Sequence, residues 1–212
     1  MQISNAQAKE MIAANKILVN SININDNILI SETDRVELNG KIIQEGKKII
    51  YIALNKPRGI ECTLNPEIPN NLNSFIHFSE KLFPVGRLDK ESEGLLILTN
   101  DGFLFNKTIN PKSEVEKEYI VTVNKPITQN FINGMSRGVD ILGQTTLPCF
   151  VQKINDFTFN IILVQGLNRQ IRRMCYKFDY LVTSLKRSRI GNVYLNNLQE
   201  GEGRIIFEDE LK

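Results

Sequence analysis

Apolar positions in this chain alternate with polar ones in several short segments, and other apolar runs are short and unbroken. Alternation closed by glycine, proline or asparagine is typical of half-buried strands. A short unbroken run bounded by turn residues is typical of a buried strand. Together these patterns predict strands within residues 16–25, 34–43, 49–59, 94–102, 116–126, 156–166 and 180–191.

Three segments carry the signals of helices. Ser4, with Gln7 three residues later, forms a capping-box pattern that predicts a short helix ending near residue 15. Thr128 and Gly138 are the expected N-cap and stop signal of a second helix. Asn168 is the expected N-cap of a third helix. The positions i, i+3, i+4 and i+7 of that helix form an apolar stripe expected to face the core: Ile171, Met174, Cys175 and Phe178.

The order of these elements predicts two unequal domains. Asn39 and Gly40 stand between two apolar stretches, which predicts a two-residue hairpin turn in a small mixed unit. That unit ends near Glu45, where "EGKK" is the expected joint. We therefore predict domains at 1–45 and 46–212. Because strands outnumber helices and hairpin-like connections are frequent, the larger domain is predicted to be α+β with a mostly antiparallel sheet.

Composition excludes several classes of protein. The three cysteines, Cys62, Cys149 and Cys175, are far apart and outside any CxxC spacing, and His77 is the only histidine. Neither a disulfide framework nor a zinc site can be built from them. The chain has no apolar run of about 18 residues, and its polar start lacks the features of a secretory signal. We expect a cytoplasmic protein without membrane attachment.

Positive charge is concentrated in one stretch of the sequence. The formal net charge of the chain is +2. The segment from Asn168 to Ile190 holds a single acid, Asp179, so its local charge is +6 and the remainder carries −4. A patch of this kind suits a polyanion, although a solvated basic face is the plain structural alternative. Its seven cations are Arg169, Arg172, Arg173, Lys177, Lys186, Arg187 and Arg189.

The candidate chemistry lies in "PVGRLDKESEGLLILTNDG", which places Asp89 in a cationic setting ahead of a buried strand. An arginine from the third helix is expected to keep Asp89 ionised through its opposite charge. An ionised carboxylate fixed in this way can serve as a nucleophile or a base, or it can be an ordinary surface salt bridge. Glu91 and Glu93 follow too closely along the chain to make the gap of about 5 to 9.5 Å that a glycosidase needs.

Four motifs occur in one order and spacing: "ALNKPRGIECT", "FPVGRLDKESEGLLILTNDG", "KEYIVTV" and "QGLNRQIRRMC". Together they resemble the RsuA-type family of RNA pseudouridine synthases, and within it the RluF subgroup. The resemblance covers about Ile50 to Leu211. The first segment is similar to the S4 RNA-binding domain that precedes the catalytic domain in this family. It starts where the second S4 helix would begin, so we expect a truncated, weakly packed S4-like unit.

The resemblance implies that a uridine is isomerised to pseudouridine without metal, nucleotide or redox cofactor. The implied catalytic residues are Asp89 as the indispensable carboxylate, Arg172 as its partner and Tyr119 against the uracil. Arg87, two residues before the aspartate on an extended chain, would fill the space left by a flipped base. Ile171 would form a wall of the uracil pocket. Four further cations are expected to hold phosphates rather than read sequence: Lys56, Arg58, Arg169 and Arg173.

The sequence therefore favours a monomeric enzyme that isomerises a uridine in structured RNA. Large-subunit (23S) ribosomal RNA is the favoured substrate. A transfer RNA is the alternative within this class, because folded RNA is recognised by shape and exposed loop bases. A non-catalytic S4-type RNA-binding scaffold is the alternative from another class. RNA is the one partner expected, with no small-molecule cofactor and no membrane.

Overall fold

The computed structural model of the protein describes residues 4–75, 81–102 and 114–211. The chain divides into two compact units, residues 1–49 and residues 50–212. This division falls four residues after the boundary expected from the sequence. The single histidine, His77, lies outside the described residues.

The first unit combines a short helix with a four-stranded sheet. Helix α1 (Asn5–Ala13) begins with the predicted capping box: Ser4 Oγ accepts from Gln7 N at 3.3 Å, and Gln7 Oε1 accepts from Ser4 N at 2.9 Å. Asn39 and Gly40 both have positive φ, as a tight two-residue hairpin requires. No residue of α1 is buried, so the helix adds little to the core of this unit. The sheet has the order β2-β1-β3-β4, with strands β1 (Ile17–Val19), β2 (Ile22–Asn23), β3 (Val36–Leu38) and β4 (Lys41–Gln44).

The second unit is built on a nine-stranded sheet. Its main path runs β11-β12-β8-β13-β7-β5-β15, with β14 paired to β13 and β6 paired to β7. A separate two-stranded ribbon joins β9 (Asp140–Ile141) and β10 (Gln144–Thr145). The nine strands are β5 (Tyr51–Lys56), β6 (Phe83–Val85), β7 (Glu93–Thr99), β8 (Lys117–Val123), β11 (Phe150–Lys153), β12 (Thr158–Leu163), β13 (Val182–Ile190), β14 (Val193–Tyr194) and β15 (Gly203–Ile205).

Strands β7 and β13 form the only parallel pair in the part of the sheet that the structure describes, so the prediction of a mostly antiparallel sheet is confirmed. The pair joins Glu93 to Lys186 and Gly94 to Arg187. Gly94 has φ +101°, and a Cβ there would collide with the backbone of Arg187. Glycine is therefore required for the close approach of these two strands.

Two helices pack on the sheet and enclose the larger core cluster. Helix α3 (Gln129–Ser136) begins as predicted, because Thr128 Oγ1 accepts from Phe131 N at 3.2 Å. Helix α4 (Gln170–Tyr176) contributes the predicted apolar stripe, with Phe178 packed beside it. Helix α2 (Leu72–Phe75) and a 3-10 turn (Glu208–Leu211) complete the helices of the described ranges, and none has the length and apolar character needed to cross a membrane. The buried cluster includes Val121, Phe131, Met135, Phe159, Ile161, Ile171, Met174, Cys175 and Leu185.

One local prediction, the N-cap of the third helix, was wrong. Helix α4 is capped by Arg169 in the left-handed conformation (φ 50°), with no side-chain capping bond, instead of by Asn168. Asn168 binds Arg173 instead: its carbonyl oxygen accepts from Nε at 3.1 Å and its Oδ1 from Nη2 at 3.2 Å. The strand predicted within residues 156–166 begins at Thr158, so Phe157 lies just before it and is exposed.

Candidate active site

Asp89 lies in the short loop that connects β6 to β7. Gly86, with φ +73°, turns the chain directly after β6 ends at Val85. The carbonyl oxygen of Asp89 then accepts from Ser92 N at 3.0 Å, which closes the loop before β7 begins. The carboxylate is left 29% exposed. This position at a strand connection, partly open to solvent, is where a reactive group can meet a ligand.

Two arginines from the start of α4 face the Asp89 carboxylate. Arg169 Nη1 lies 3.6 Å from Asp89 Oδ2, and Arg172 Nε lies 3.9 Å from the same oxygen. Both contacts are ion pairs, and both are longer than a hydrogen bond. Asp89 and Arg172 therefore share one cleft as an ion pair and form no direct hydrogen bond.

Arg172 is the more firmly held of the two arginines. Its Nη2 donates to the carbonyl oxygen of Glu91 and to Ser92 Oγ, each at 3.2 Å, and its Nη1 donates to the carbonyl oxygen of Val182 at 3.3 Å. Its Nε is buried without a hydrogen-bond acceptor and faces Asp89. Burial lowers the pKa of Arg172, and Asp89 acts against that shift. The guanidinium stays charged at neutral pH because the ordinary pKa of arginine is above about 12.

Arg169 divides its charge between two acids. Its Nη1 donates to Glu91 Oε2 at 2.8 Å, much closer than its contact with Asp89. This hydrogen bond lowers the pKa of Glu91 and raises the pKa of Arg169. The side chains of Arg169 and Glu91 are 40% and 50% exposed, so solvent weakens their attraction. The carboxylate of Glu91 thereby limits how much of the Arg169 charge acts on Asp89.

A cavity of about 120 Å³ opens beside Asp89, and its walls come from several elements. Tyr119 on β8 and Ile171 on α4 both line it, so the structure brings them to the aspartate as the sequence resemblance implied. The walls combine apolar side chains with a few polar groups, the usual make-up of a small-molecule or base-sized site. The lining comprises Arg87, Leu88, Asp89, Ser92, Tyr119, Leu163, Gln165, Gly166, Leu167, Arg169, Gln170, Ile171, Arg172 and Leu185.

The remaining predicted residues differ in their placement. Arg87 is exposed and lines the same cavity. Arg58 is exposed and donates to the carbonyl oxygen of Thr183 at 3.4 Å. Arg173 is exposed on the first turns of α4. Lys56 does not fit its expected phosphate contact, because it is fully buried and its Nζ donates to the carbonyl oxygens of Pro57 (2.8 Å) and Ile60 (2.9 Å).

The positive surface is smaller than the sequence suggested. Arg187 is only 3% exposed, and its Nε donates to the carbonyl oxygen of Leu95 at 2.7 Å. Arg189 is paired with Glu116 at 2.8 Å and with Glu118 at 2.9 Å. These two cations therefore stabilise the fold and contribute little to the surface field. The cations that line the cavity are Arg87, Arg169 and Arg172.

Three contributors to the site went unrecognised in the sequence. Ser92 and Glu91 hold the two arginines, and Gln170 is a buried wall residue whose Oε1 accepts from Leu167 N at 3.0 Å. All three lie inside the quoted motifs, immediately beside residues that were recognised. Their proximity to Asp89 and Arg172 along the chain was the available signal.

The described residues offer neither a metal cluster nor a reactive thiol. Across these ranges, no three His, Cys, Asp or Glu side chains are arranged to hold a metal ion. Burial raises the pKa of Cys62, of Cys149 to about 11 and of Cys175 to about 12. These thiols are protonated at neutral pH, so they are poor nucleophiles. Asp89 is thus the reactive group that the cavity best supports.

A partly exposed carboxylate, flanked by two guanidinium groups beside a cavity of about 120 Å³, is an arrangement that can hold and react with a small polar ligand such as a nucleic-acid base. The RNA pseudouridylate synthase family model matches residues 50–177, which is more than half of the chain. The chain therefore belongs to the RNA pseudouridylate synthase family, and the family assignment made from the motifs is confirmed.

Two curated relatives illustrate the similarity. The dual-specificity RNA pseudouridine synthase RluF of Escherichia coli (strain K12) is 51% identical over 180 residues, covering 84% of this chain. This chain spans only 62% of the length of that relative. The ribosomal large subunit pseudouridine synthase B of Bacillus subtilis (strain 168) is 28% identical over 218 residues, covering 99% of this chain and 89% of the relative.

A solved structure has a similar fold. It is a crystal structure of a pseudouridylate synthase that shares 28% sequence identity and a TM-score of 0.73 with this protein. The match covers 99% of this chain and 93% of the other. The pseudouridine synthase fold predicted from the sequence is therefore confirmed.

Proposed function

We propose that this protein isomerises a specific uridine in structured RNA to pseudouridine, with Asp89 as the essential group. The observation that carries the proposal is the placement of the Asp89 carboxylate, 29% exposed, between Arg169 and Arg172 at the mouth of a base-sized cavity. An ionised carboxylate in this position can act as a nucleophile or a base.

The reaction is balanced without any external reactant. The C1'–N1 bond of the uridine breaks, the uracil turns, and a C1'–C5 bond forms. The proton leaves C5 and N1 gains one, so no electron donor or acceptor is required. Asp89 can attack the sugar or the base, or it can remove a sugar proton. Tyr119, which lies on the cavity wall, is proposed to contact the uracil and to assist the loss of the C5 proton.

The target uridine must leave its helix or loop stack before it can reach Asp89. A cavity of about 120 Å³ set into a protein surface cannot receive a base that is still stacked. Arg87 is exposed at the cavity and is proposed to occupy the place of the extruded base. Arg58 and Arg173 are proposed to contact phosphates, which fixes the RNA in position without reading its sequence.

Large-subunit (23S) ribosomal RNA is the proposed substrate. The support is the name of the Bacillus subtilis relative, which is a ribosomal large subunit pseudouridine synthase. A transfer RNA is the second candidate substrate, and the dual specificity in the name of the Escherichia coli relative favours testing more than one RNA.

The first unit is proposed to be an S4-like domain that contacts RNA. Its support is the motif order in the sequence and the small helix-plus-hairpin architecture. Residues 1–49 contain six cations and six acids, so this unit has no excess positive charge. We therefore expect most of the electrostatic affinity for RNA to come from the second unit.

The test is release of tritium from RNA labelled at uridine C5. The purified protein is incubated with labelled large-subunit ribosomal RNA and, separately, with labelled bulk transfer RNA. We expect release with the wild type and none with Asp89→Asn, while Asp156→Asn, a change at an exposed acid paired with Lys153, keeps wild-type rates. Undiminished release by Asp89→Asn would refute the role of the aspartate. RNA binding with no release from either RNA would favour a non-catalytic scaffold.

A further inference from the structure

A second and larger groove lies next to the candidate active site. Its volume is about 570 Å³, and it shares Arg169 and Arg172 with the cavity that holds Asp89. Those two arginines form the partition between the spaces. A chain that enters the smaller cavity can therefore continue into the larger groove. The other lining residues are Ile141, Leu142, Arg173, Tyr176, Lys177, Tyr180, Leu181 and Val182.

The charged part of this groove is entirely positive. Four of its lining residues are cations, and none is an acid. Arg173 donates two hydrogen bonds to Asn168, and both acceptor oxygens are neutral. Neither Arg173 nor Lys177 has a carboxylate partner among the described residues. Their charges are thus available to an anion that comes from solution.

The remaining part of the groove is apolar and open to solvent. Leu142, Tyr176 and Leu181 are 52%, 68% and 57% exposed. Large apolar side chains that cluster around unpaired cations suit a ligand with both an anionic group and a flat apolar face. A nucleotide has both features, since its phosphate is anionic and its base can stack on an aromatic ring. A volume of about 570 Å³ lies in the range of sites for ligands of this size.

We infer that this groove holds one nucleotide adjoining the target uridine, with its phosphate at Arg173 and Lys177 and its base against Tyr176 and Leu181. The inference rests on the proposed function, because it requires a uridine bound at Asp89. The neighbour is unstacked together with the target, so the protein selects a flexible loop or bulge instead of a regular duplex. Stacking on tyrosine accepts any base, so this contact selects RNA shape and not sequence.

The first test distinguishes the loss of the base contact from damage to the fold. The substrate is large-subunit ribosomal RNA tritiated at uridine C5, and KM and kcat are measured for four proteins. We expect Tyr176→Ala to raise KM by about 5- to 150-fold with kcat nearly unchanged, and Tyr176→Phe to behave as the wild type. Tyr194→Ala is the matched control, because Tyr194 is also an exposed tyrosine and lines neither cavity.

The second test concerns the phosphate. The dissociation constant for the same RNA is measured against salt concentration for the wild type, Arg173→Gln and Lys177→Gln. The logarithm of the binding constant falls as the logarithm of the salt concentration rises. Each variant should make this fall less steep, reducing the magnitude of the slope by about 0.7 to 0.9. Lys153→Gln, which removes an exposed lysine outside the groove, should weaken binding less than either.

The third test identifies the nucleotide directly. Once the modified uridine is mapped, short RNAs are made with an abasic position on either side of it. One of these abasic RNAs should bind the wild type more weakly than the unmodified RNA does. Tyr176→Ala should bind that abasic RNA no more weakly than the wild type does, because the base that the tyrosine contacts is already absent. If wild-type protein releases no tritium, the proposed function fails. If the wild type does release tritium, two results would refute the groove inference alone. One is an unchanged KM for Tyr176→Ala. The other is a loss of affinity from each abasic position that adds fully to the loss caused by Tyr176→Ala.

Discussion

Replacing Arg172 by methionine should slow the proposed reaction far more than the same change at Arg169. Arg172 Nε is the more distant of the two contacts to Asp89, at 3.9 Å against 3.6 Å. Its side chain is nevertheless only 14% exposed, against 40% for Arg169, whose charge is shared with Glu91. Burial, and not distance, should therefore decide which arginine matters.

The geometry sets the size of the effect. Two charges about 4 Å apart interact by about 4 kcal/mol at an effective dielectric constant of about 20. Because the Asp89 carboxylate is 29% exposed, water screens part of this attraction, and about 2 kcal/mol is a conservative lower value. Since about 1.4 kcal/mol corresponds to a factor of ten, Arg172→Met should reduce kcat by roughly 30- to 1,000-fold.

The assay is single-turnover tritium release at saturating enzyme, which reports the chemical step. Arg172→Lys keeps the charge but loses the fork that binds the Glu91 carbonyl oxygen, Ser92 and Val182, so an intermediate rate is expected. Urea unfolding of each variant shows whether the loss is due to the fold. Equal losses for Arg169→Met and Arg172→Met in stable proteins would refute the argument from burial.

Three further predictions concern stability, each measured by urea unfolding. Gly94→Ala should destabilise the protein by at least about 2 kcal/mol, because φ +101° and the Arg187 backbone exclude a side chain. Phe131→Ala should cost about 3 to 5 kcal/mol, since Phe131 is 1% exposed and packs against three aromatic rings; a loss below about 1 kcal/mol would contradict this. The Glu91 pKa is lowered, so its ionised form stabilises the fold above its ordinary value of 4.5, and this contribution disappears as pH falls below it. Wild type should thus lose more stability than Glu91→Gln between pH 5 and 3, by at most about 1 kcal/mol for so exposed a pair.

The cationic stretch from Asn168 to Ile190 illustrates why charge in a sequence is hard to place. Arg187 and Arg189 belong to the same cationic stretch as Arg172, yet one is buried under β7 and the other is paired with Glu116 and Glu118. Strand alternation alone would put residues 187 and 189 on the same face of β13, but a register shift between them interrupts the pairing with β8, and only the neighbours across the sheet decided their partners. Lys56 was misplaced for a different reason: its side chain is buried, and its Nζ donates to carbonyl groups of the turn directly after β5.

Local patterns alone determined much of this protein. The capping box at Ser4, the Asn39–Gly40 hairpin, the Thr128 cap and the apolar stripe of α4 depend on residues within a few positions of one another, so periodicity and turn chemistry suffice to predict them. The motifs around Asp89, read as a set, also identified the family.

Tertiary structure decided the rest, because the relevant partners are far apart in the chain. Asp89 and Arg172 meet only when α4 packs beside the loop before β7, and Tyr119 joins them only through the pairing of β8 with β13. The open groove beside them depends on Leu142, Tyr176 and Leu181 staying uncovered, which no sequence pattern records. A sequence specifies which side chains are present, whereas the burial and screening that set their electrostatic strength arise only after the chain has folded.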